Sequence, residues 1–339
     1  MKTNQSPYLI AEIGQSHEGS LGMVYAYVDA LAKTGVNAVK FQTHLAHAES
    51  SLYEPFRVKF SQQDKTRYDY WERMSFTQEQ WISIGQYCKE KGIDFISSPF
   101  SNTAVEVLER AQVDAYKVGS GEVTNHLLLE KIAQTGKPVI ISSGMSSFNE
   151  LDQSVKLLEK HHINLSILQC TTAYPTQPEQ YGLNVIQELK ERYKHPIGFS
   201  DHSGTTDAGI AAISLGAKVL EFHVVFHKEM FGPDVSSSIT TDQTKELVQG
   251  VNKIYRALQN SVDKTDNDDF KEVKAIFEKS LAVNKNLPQG HVLQFDDLEA
   301  KKPKGYGIEA SKYQSVIGRK INQDIEAWSF LTEEMLGKS

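Results

Sequence analysis

Short apolar runs alternate with amphipathic segments of helical length from Tyr8 to about Asn260. This alternation is typical of βα units around a parallel sheet, because each apolar run can form a buried strand and each amphipathic segment can cover it. Eight such units over roughly 250 residues predict a (β/α)₈ barrel, an α/β fold of ordinary size. The predicted strands are Tyr8–Ile13, Ala38–Gln42, Asp94–Ser97, Ala115–Gly119, Pro138–Ser142, Leu165–Gln169, Ile197–Ser200 and Val219–Val224.

The alternative arrangement is a doubly wound open sheet. Its dinucleotide-binding version carries a Gly-x-Gly-x-x-Gly motif after the first strand, and the residues that follow Ile13 contain no such motif. The barrel is therefore the predicted fold, and it is expected to occupy residues 1–262.

The pattern changes after the barrel. Residues 263–278 begin with the charged stretch Asp263–Asp269 and are predicted to form a linker. Residues 279–339 combine short β-prone runs and Gly/Pro turns with one small helix near Ser311–Ile317. A module of about 60 residues lies near the lower limit for independent stability, so this β-rich part is expected to lean on another surface.

Charge and cysteine content restrict the partners and the compartment. A net charge of −7 argues against a nucleic-acid binder, since such proteins concentrate basic residues on one face. Cys88 and Cys170 are far apart in sequence, which fits a reducing compartment, and the cytoplasm is the expected location. Met1 to Ser6 is polar and no segment approaches the ~20 apolar residues of a membrane span, so neither a secretory leader nor a membrane anchor is expected.

Two histidines belong to the ends of adjacent predicted strands, His202 to the seventh and His223 to the eighth. Barrel enzymes place their chemistry at the carboxyl ends of the strands, so both imidazoles are expected at one rim. Two neutral imidazoles without a thiolate leave coordination positions open for water or substrate, which suits Mn²⁺, Co²⁺ or Zn²⁺ as a Lewis acid. The alternative is that each histidine is a hydrogen-bonded core residue. Three further histidines could reach the same rim: His17, His44 and His227.

Two lysines lie inside predicted strands at equivalent positions, Lys40 in the second and Lys117 in the fourth. Lysine is rarely buried without a partner, so the pair predicts either a bound anion between them or local carboxylates. Outward-facing lysines that extend between the helices are the alternative. Serines at the strand ends strengthen the anion interpretation, because hydroxyl and ammonium donors together suit a phosphate or carboxylate. These serines are Ser98, Ser120, Ser142, Ser143 and Ser200.

Carboxylates follow two of the strands. Glu12 ends the first strand and Glu122 follows the fourth, where a rim carboxylate can act as a general base or bind sugar hydroxyls. A salt bridge to one of the two strand lysines is the alternative role for either carboxylate. Glu221, in contrast, is expected to point to the opposite face from His223 and to be structural.

One connection, from residue 44 to residue 76, is too long for a simple turn. Long loops in compact domains are usually functional or disordered, and the aromatic content of this one favours a lid over the rim. Its aromatic residues include Tyr53, Tyr68, Tyr70 and Trp71.

Seven groups of residues occur in the same order as the motifs of a known family, each at a predicted strand end or rim loop. They are Ile10–Gly14 with Ser16–Gly19, Val39–Thr43, Ser98–Ser101, Tyr116–Glu122, Cys170–Pro175, Ser200–His202 and Gly232–Asp234. Through these motifs the chain resembles the sialic acid synthase family, which includes N-acetylneuraminate, legionaminate and pseudaminate synthases. The C-terminal module resembles the antifreeze-like (SAF) domain of these enzymes, so the resemblance covers nearly the whole chain.

The resemblance implies a condensation of phosphoenolpyruvate with the open-chain aldehyde of an N-acylated hexosamine, either N-acetylmannosamine or a related sugar such as a 2,4-diacetamido sugar. The product would be a nine-carbon 2-keto sugar acid, with release of phosphate. The implied cofactor is a divalent metal on His202 and His223, in the first place Mn²⁺ with Mg²⁺ or Co²⁺ as alternatives, which would polarise the aldehyde oxygen.

The resemblance also assigns roles to the rim residues. The phosphoenolpyruvate ligands would be Lys40, Ser98, Lys117, Ser120 and Ser200. The residues that match sugar-binding positions are Gln42, Glu122, Tyr174 and Asp234. Glu12 matches a rim carboxylate in the catalytic group.

The chain departs from the family pattern at several of these positions. Ser16 and Thr172 each replace an asparagine, and Thr172 lacks the amide that would contact phosphoenolpyruvate, although it stays among the expected substrate-binding residues. The residues after the second metal histidine, Val224–Phe231, replace a Phe-Thr run. Lys302 replaces an arginine that reaches the N-acyl group, and lysine cannot reproduce a planar bidentate fork. The identity of the sugar is therefore left open.

The resemblance further implies a domain-swapped homodimer, in which the SAF-like module covers the partner's barrel and brings Lys302 to the sugar. No nucleic acid or membrane partner is expected. Two alternatives to the synthase are another metal-dependent barrel aldolase or keto-acid-phosphate synthase, and a carbohydrate-binding protein without activity. The intact rim lysines and histidines argue against the second of these.

Overall fold

The computed structural model describes residues 6–337. The chain divides into two compact units, Met1–Asn260 and Ser261–Ser339. Residues 1–5, which make up most of the polar N-terminal segment, lie outside the described residues. Within the described part of the chain, no helix is both long and apolar enough to cross a membrane.

Eight parallel strands close into a barrel in the first unit. The strands pair in sequence order from β1 to β8, and β8 pairs again with β1, which closes the sheet. The predicted barrel is therefore confirmed, and each predicted strand boundary lies within two residues of the observed one. The strands are β1 (Tyr8–Gly14), β2 (Ala38–Thr43), β3 (Asp94–Pro99), β4 (Ala115–Val118), β5 (Val139–Ser142), β6 (Leu165–Cys170), β7 (Ile197–Asp201) and β8 (Val219–Val225). A short strand, β9 (Ser238–Thr240), pairs with β8.

Helices connect the strands and cover the outside of the barrel. Several of them begin at side-chain caps: Thr77, Ser147 and Thr240 each open a capping box, which satisfies backbone N–H groups that have no partner inside the helix. The helices of this unit are α1 (Leu21–Leu31), α2 (Ala46–Glu49), α3 (Arg67–Met74), α4 (Gln78–Glu90), α5 (Asn102–Arg110), α6 (His126–Ala133), α7 (Phe148–Glu159), α8 (Leu183–Arg192), α9 (Asp207–Ser214) and α10 (Thr241–Gln259).

Side chains alternate between two layers along each strand. In β1, Leu9 and Ala11 pack outward into the core beneath the helices, whereas Ile10 and Glu12 point into the barrel. The deeper part of the interior is apolar and contains Tyr8, Ile10, Ala38, Ile96, Ala115, Ile140, Leu168 and Val219. Two residues further along most of these strands, the next inward side chain is polar and lines a cavity: Glu12, Lys40, Ser98, Lys117, Ser142, Cys170 and Glu221. A step of two residues thus leads from an apolar floor to a polar site at the carboxyl ends.

The second unit has a small core of its own. Strands β10 (Ser280–Val283) and β11 (Leu298–Lys301) pair in antiparallel fashion. A 3₁₀ helix at Ala310–Ser315 lies where the sequence predicts a small helix. Helix α11 (Lys271–Phe277) lies within residues 263–278, so the predicted linker contains a short helix. The core consists of Leu281, Val283, Leu287, Leu293, Ile308, Val316, Ile321, Ile325, Leu331 and Leu336.

Candidate active site

Two buried lysines lie among carboxylates at the carboxyl end of the barrel. Nζ of Lys40 is 2.8 Å from Oε1 of Glu12 and 3.6 Å from Oε1 of Glu221, and Nζ of Lys117 is 3.3 Å from that same Glu221 oxygen. All four side chains are at most 4% exposed. The inward orientation predicted for the lysines is confirmed, and local carboxylates, one of the two predicted kinds of partner, are present.

Burial and the neighbouring charges shift the pKa values of Lys40, Glu221 and Glu12. Burial alone lowers the pKa of Lys40, but the carboxylates of Glu12 and Glu221 outweigh it and raise that pKa. Burial raises the pKa of Glu221, but Lys117 and Lys40 outweigh it and hold that pKa below its ordinary value. Burial raises the pKa of Glu12, and the repulsion from Glu221 adds to this effect. Glu12 is therefore the carboxyl of this group that accepts a proton more readily.

The position of Glu221 corrects the expectation that it faces away from His223. Side chains two residues apart in a strand share a face, so Glu221 and His223 both point into the barrel. Glu221 is the shared partner of both lysines rather than a structural residue on the outer side. Because residues 221 and 223 are two positions apart in one strand, the sequence alone was sufficient to predict that their side chains share a face.

The lysines line a cavity of about 190 Å³ that also contains hydroxyl groups, here termed the anion cavity. Oγ of Ser98 is 3.5 Å from Nζ of Lys40, and Oγ of Ser120 accepts a hydrogen bond from the backbone N–H of Gly144. Oγ of Ser142 is buried and has no hydrogen-bond partner among the described residues. The predicted residues that line this cavity are Glu12, Lys40, Gln42, Ser98, Lys117, Ser120, Ser142, Thr172, Tyr174, Ser200, His202 and His223. Ammonium and hydroxyl donors that line one cavity are suited to a phosphate or carboxylate group.

The two predicted metal ligands lie side by side in the same cavity, with ring centroids 5.2 Å apart. Nδ1 of His202 is 2.9 Å from the carbonyl oxygen of Thr171, so it donates to this oxygen and leaves Nε2 as the lone-pair nitrogen. Burial lowers the pKa of His223 far below its ordinary value, which keeps this ring neutral. Within residues 6–337, no group of three or more His, Cys, Asp or Glu side chains is arranged to hold a metal. Burial lowers the pKa of His202, but Cys170 and the carbonyl group of Thr171 outweigh it and raise that pKa, so a cation must displace a proton from this ring, whereas His223 is already neutral. With both rings neutral, the donor set fits a cation with two nitrogen ligands and other positions open.

A second cavity, also of about 190 Å³, adjoins the first and shares Gln42, Tyr174 and His223 with it. We term it the outer cavity. Asp234, a predicted sugar contact, lies here, and Nη2 of Arg57 is 3.5 Å from its Oδ1. The other lining residues are Gln15, Arg57, Val58, Phe60, Arg67, Tyr70, Trp71 and Pro233. Most of them come from the long connection that the sequence predicts as a lid, so this segment does line the site.

The arginines of the outer cavity were not predicted. The guanidinium of Arg57 lies 4.2 Å from the centroid of the Tyr174 ring, and that of Arg67 lies 4.0 Å from the centroid of the Trp71 ring. The aromatic content of the connection indicated a functional segment, but a segment without periodicity gives no basis for choosing individual residues. Cys170, which lines the anion cavity, was also missed as a site residue.

Some predicted residues lie elsewhere. Glu122 lines a third cavity of about 480 Å³ together with Gln42, His44, Glu49 and Trp71, and it accepts a hydrogen bond from Nδ2 of Asn125. His17 is buried and lines none of these three cavities. The side chain of His227 is 68% exposed. Nζ of Lys302, in the second unit, lies 4.6 Å from the centroid of the Phe277 ring.

Comparisons with known proteins agree with the geometry of the barrel. The NeuB family matches residues 27–263, and the SAF domain matches residues 278–337. Human N-acetylneuraminate-9-phosphate synthase is 33% identical over 335 residues, which are 97% of this chain and 92% of that protein. A pseudaminic acid synthase of Campylobacter jejuni is 31% identical and covers 98% of this chain and 97% of its own length. The crystal structure of N-acetylneuraminic acid synthetase from Leptospira borgpetersenii in complex with citrate matches with a TM-score of 0.71 at 26% identity, over 80% of this chain and 90% of that one. The chain therefore belongs to the NeuB family, and it is a synthase of the sialic acid synthase type with a C-terminal SAF domain.

Proposed function

We propose that the protein condenses phosphoenolpyruvate with the open-chain form of an N-acylated hexosamine to give a nine-carbon 2-keto sugar acid and phosphate. One observation carries this proposal: a cavity with two lysines and several hydroxyl groups adjoins a second cavity lined by polar and aromatic groups, and Gln42, Tyr174 and His223 line both. The first suits a small, highly charged anion and the second suits a polyhydroxylated chain. The relatives reported above support the same product class, since one is an N-acetylneuraminate-9-phosphate synthase and another a pseudaminic acid synthase.

The anion cavity would hold phosphoenolpyruvate. Lys40 and Lys117 supply the positive charges, and Ser98, Ser120 and Ser200 supply hydroxyl donors. Glu12 and Glu221 raise the pKa of Lys40 and so keep this lysine charged before the substrate arrives, since a buried ammonium group without a partner loses its proton. Thr172 also lines the anion cavity and can donate from its hydroxyl group, although it cannot replace both donors of an amide.

The outer cavity would hold the sugar. Tyr174 and Gln42 lie between the two cavities, so they are placed to contact the reacting end of the chain, and Asp234 lies further out. Glu122 lies beyond Gln42 in the third cavity and would contact the sugar from that side. Lys302 would reach the sugar only from the SAF domain of a partner subunit, in a domain-swapped homodimer. A cytoplasmic location is part of the same proposal.

A divalent cation, in the first place Mn²⁺ with Mg²⁺ or Co²⁺ as alternatives, would be held by His202 and His223. When bound it would supply Lewis-acid polarisation of the aldehyde oxygen.

The protein's own groups order the remaining steps. The lysines hold phosphoenolpyruvate with its C3 carbon towards the outer cavity, where it forms the new bond to the aldehyde carbon. Water adds at C2, and the C2–O bond to phosphate breaks. One hydrogen of that water ends on the former aldehyde oxygen and the other on phosphate. Oε2 of Glu12 is buried and has no hydrogen-bond partner within residues 6–337, so it is free to take the first of these protons and return it.

The test is a panel of N-acyl hexosamines, each incubated with phosphoenolpyruvate and a divalent cation. We expect phosphate release only when both substrates are present, and a product mass equal to the sum of the sugar and pyruvate. Phosphate release from phosphoenolpyruvate with a short unacylated aldose, but with none of the N-acyl hexosamines, would instead indicate a keto-acid-phosphate synthase. Binding of sugars without any turnover would indicate a carbohydrate-binding protein.

A further inference from the structure

A line of hydrogen-bonded side chains connects the third cavity with the anion cavity. Nε2 of Gln42 donates to Oε1 of Glu12 at 2.8 Å, and Oε1 of Gln42 lies 3.1 Å from Nε2 of His44. Nδ1 of His44 lies 2.6 Å from Oε1 of Glu49. Gln42 lines all three cavities. The direction of its amide therefore decides whether a donor or an acceptor faces each substrate.

The salt bridge of Glu12 fixes the direction of this amide. Glu12 is paired with Lys40 at 2.8 Å and acts as an acceptor, so the NH₂ group of Gln42 faces it and the carbonyl group faces His44. A carbonyl oxygen only accepts hydrogen bonds, so Nε2 of His44 must carry a hydrogen. If the ring is neutral, Nδ1 is then an acceptor and Glu49 supplies the hydrogen of their bond. If the ring is charged, the same hydrogen lies on Nδ1.

Burial favours the retention of this hydrogen by the Glu49–His44 pair. The two side chains are 6% and 3% exposed, and the imidazole ring is stacked between Trp71 and Phe100 at centroid distances of 3.6 and 4.3 Å. In the described part of the chain, Oε2 of Glu49 has no hydrogen-bond partner although it is buried, which would be costly for a carboxylate.

The charged groups around Glu49 agree with this assignment. Burial raises the pKa of Glu49 to about 8 and Glu54 adds to the effect, while the backbone N–H of Leu45 and the guanidinium of Arg67 oppose it. Glu122 interacts with Glu49 from the other side of the third cavity, with repulsion between the two carboxylates. Burial and Arg67 hold the pKa of His44 well below its ordinary value.

We propose that Glu49 and His44 are positioning residues, which keep a hydrogen between them and thereby hold the amide of Gln42 with its NH₂ group towards Glu12. They line neither the anion cavity nor the outer cavity, so they act on the substrates through Gln42. The inference rests on the proposed function, because it assigns an ordering role at the junction of the two substrate cavities.

Loss of the shared hydrogen removes this support for the amide of Gln42. An ionised Glu49 requires a donor at Nδ1, so the one remaining hydrogen of the neutral ring moves there and Nε2 becomes an acceptor. Two acceptors, Nε2 of His44 and Oε1 of Gln42, would then face each other at 3.1 Å, and a rotated amide would instead place its oxygen against Oε1 of Glu12, so neither orientation of Gln42 keeps both hydrogen bonds. The kcat/KM for the sugar should therefore fall above about pH 8.

Substitutions at both residues test this role. In Glu49→Gln the amide NH₂ donates to Nδ1 and cannot ionise, so we expect kcat/KM for the sugar to stay within about twofold of the parent at pH 7. Above pH 8 the parent should lose about tenfold per pH unit, as for any single titrating group, whereas the variant should not. His44→Phe keeps the ring stack but removes both hydrogen bonds, and it should raise KM for the sugar about fivefold. Glu72→Gln, on the exposed side of α3, is the matched control and should keep the parent's profile.

A direct measurement of which nitrogen of the His44 ring carries a hydrogen tests this inference separately from the proposed function. In ¹⁵N spectra of the full chain labelled at histidine, with His44 assigned by its absence in His44→Phe, Nε2 should carry a hydrogen at pH 7. The inference would be overturned if kcat/KM for the sugar in Glu49→Gln fell at alkaline pH with the same midpoint as in the parent. It would also be overturned if Nε2 of His44 carried no hydrogen at pH 7. A parent that turns over none of the sugars would contradict the proposed function instead, and the spectra would still decide the state of His44.

Discussion

Replacement of Lys117 by Met should affect folding and substrate binding by different amounts. Glu221 is the carboxylate that pairs with Lys117 among the described residues, and Lys40 remains 3.6 Å from the same oxygen after the replacement. Removal of one partner of a buried ion pair typically costs 3–5 kcal/mol, so we expect a loss of about 3 kcal/mol because Lys40 still compensates in part. Phosphoenolpyruvate would lose a buried charge partner, which typically costs ~2–5 kcal/mol. Its KM should rise at least about 30-fold.

A double variant separates the two effects. In Lys117→Met with Glu221→Gln, no unpaired charge remains at this position, so the free energy of unfolding in urea should return most of the way to that of the parent. The KM for phosphoenolpyruvate should stay high, because the ammonium group is still missing. Lys131→Met, which removes an exposed pair with Glu106, is the control and should change neither quantity appreciably. Recovery of phosphoenolpyruvate affinity in the double variant, or an equal rise in the KM of the sugar, would refute the assignment of Lys117 to this substrate.

Three other predictions concern the cation, the SAF domain and acid stability. Exhaustive chelation, His202→Ala and His223→Ala should each abolish turnover with the fold retained by circular dichroism; full activity in any of these would contradict the cation site. Truncation after Asn260 should weaken dimerisation and eliminate turnover, and mixed dimers of inactive Lys302→Ala and His202→Ala subunits should recover partial activity; mixed dimers without activity would exclude supply of Lys302 by the partner. Burial lowers the pKa of His17 to about 3, so the folded state binds fewer protons than the unfolded state below pH 6.5. Stability should thus fall as the pH falls from 6.5, by about 2 kcal/mol at pH 5, and His17→Gln should lack this loss in urea unfolding at the two pH values.

The barrel and its polar rim followed from local patterns. The apolar runs lie at regular intervals and each forms a strand, and the inward polar residues lie two positions beyond the apolar floor. Glu221 shows the sensitivity of this reasoning, since a miscounted alternation placed it on the wrong face of a strand that was itself predicted correctly.

Other parts of the site have no local signal. Arg57 and Arg67 come from a connection without periodicity, so their approach to Tyr174 and Trp71 depends on how that segment folds over the rim. The contact of His44 with Glu49 depends on α2, a helix of four residues, which is too short to produce an amphipathic pattern. Any contact of Lys302 with the sugar requires a second subunit, and assembly leaves no periodic pattern in a single chain.

The division of the site between strand ends and one inserted connection has an evolutionary consequence. The lysines and serines are anchored to a closed barrel, where a change of one residue disturbs the neighbouring strands, whereas the outer wall comes mainly from residues 57–71. Mutation and recombination can therefore change residues 57–71 together, while the barrel strands are inherited unchanged. Diversification of the acceptor sugar within such a lineage should be concentrated in this segment and in the few sugar contacts outside it, such as Asp234 and Lys302, with the binding of phosphoenolpyruvate preserved.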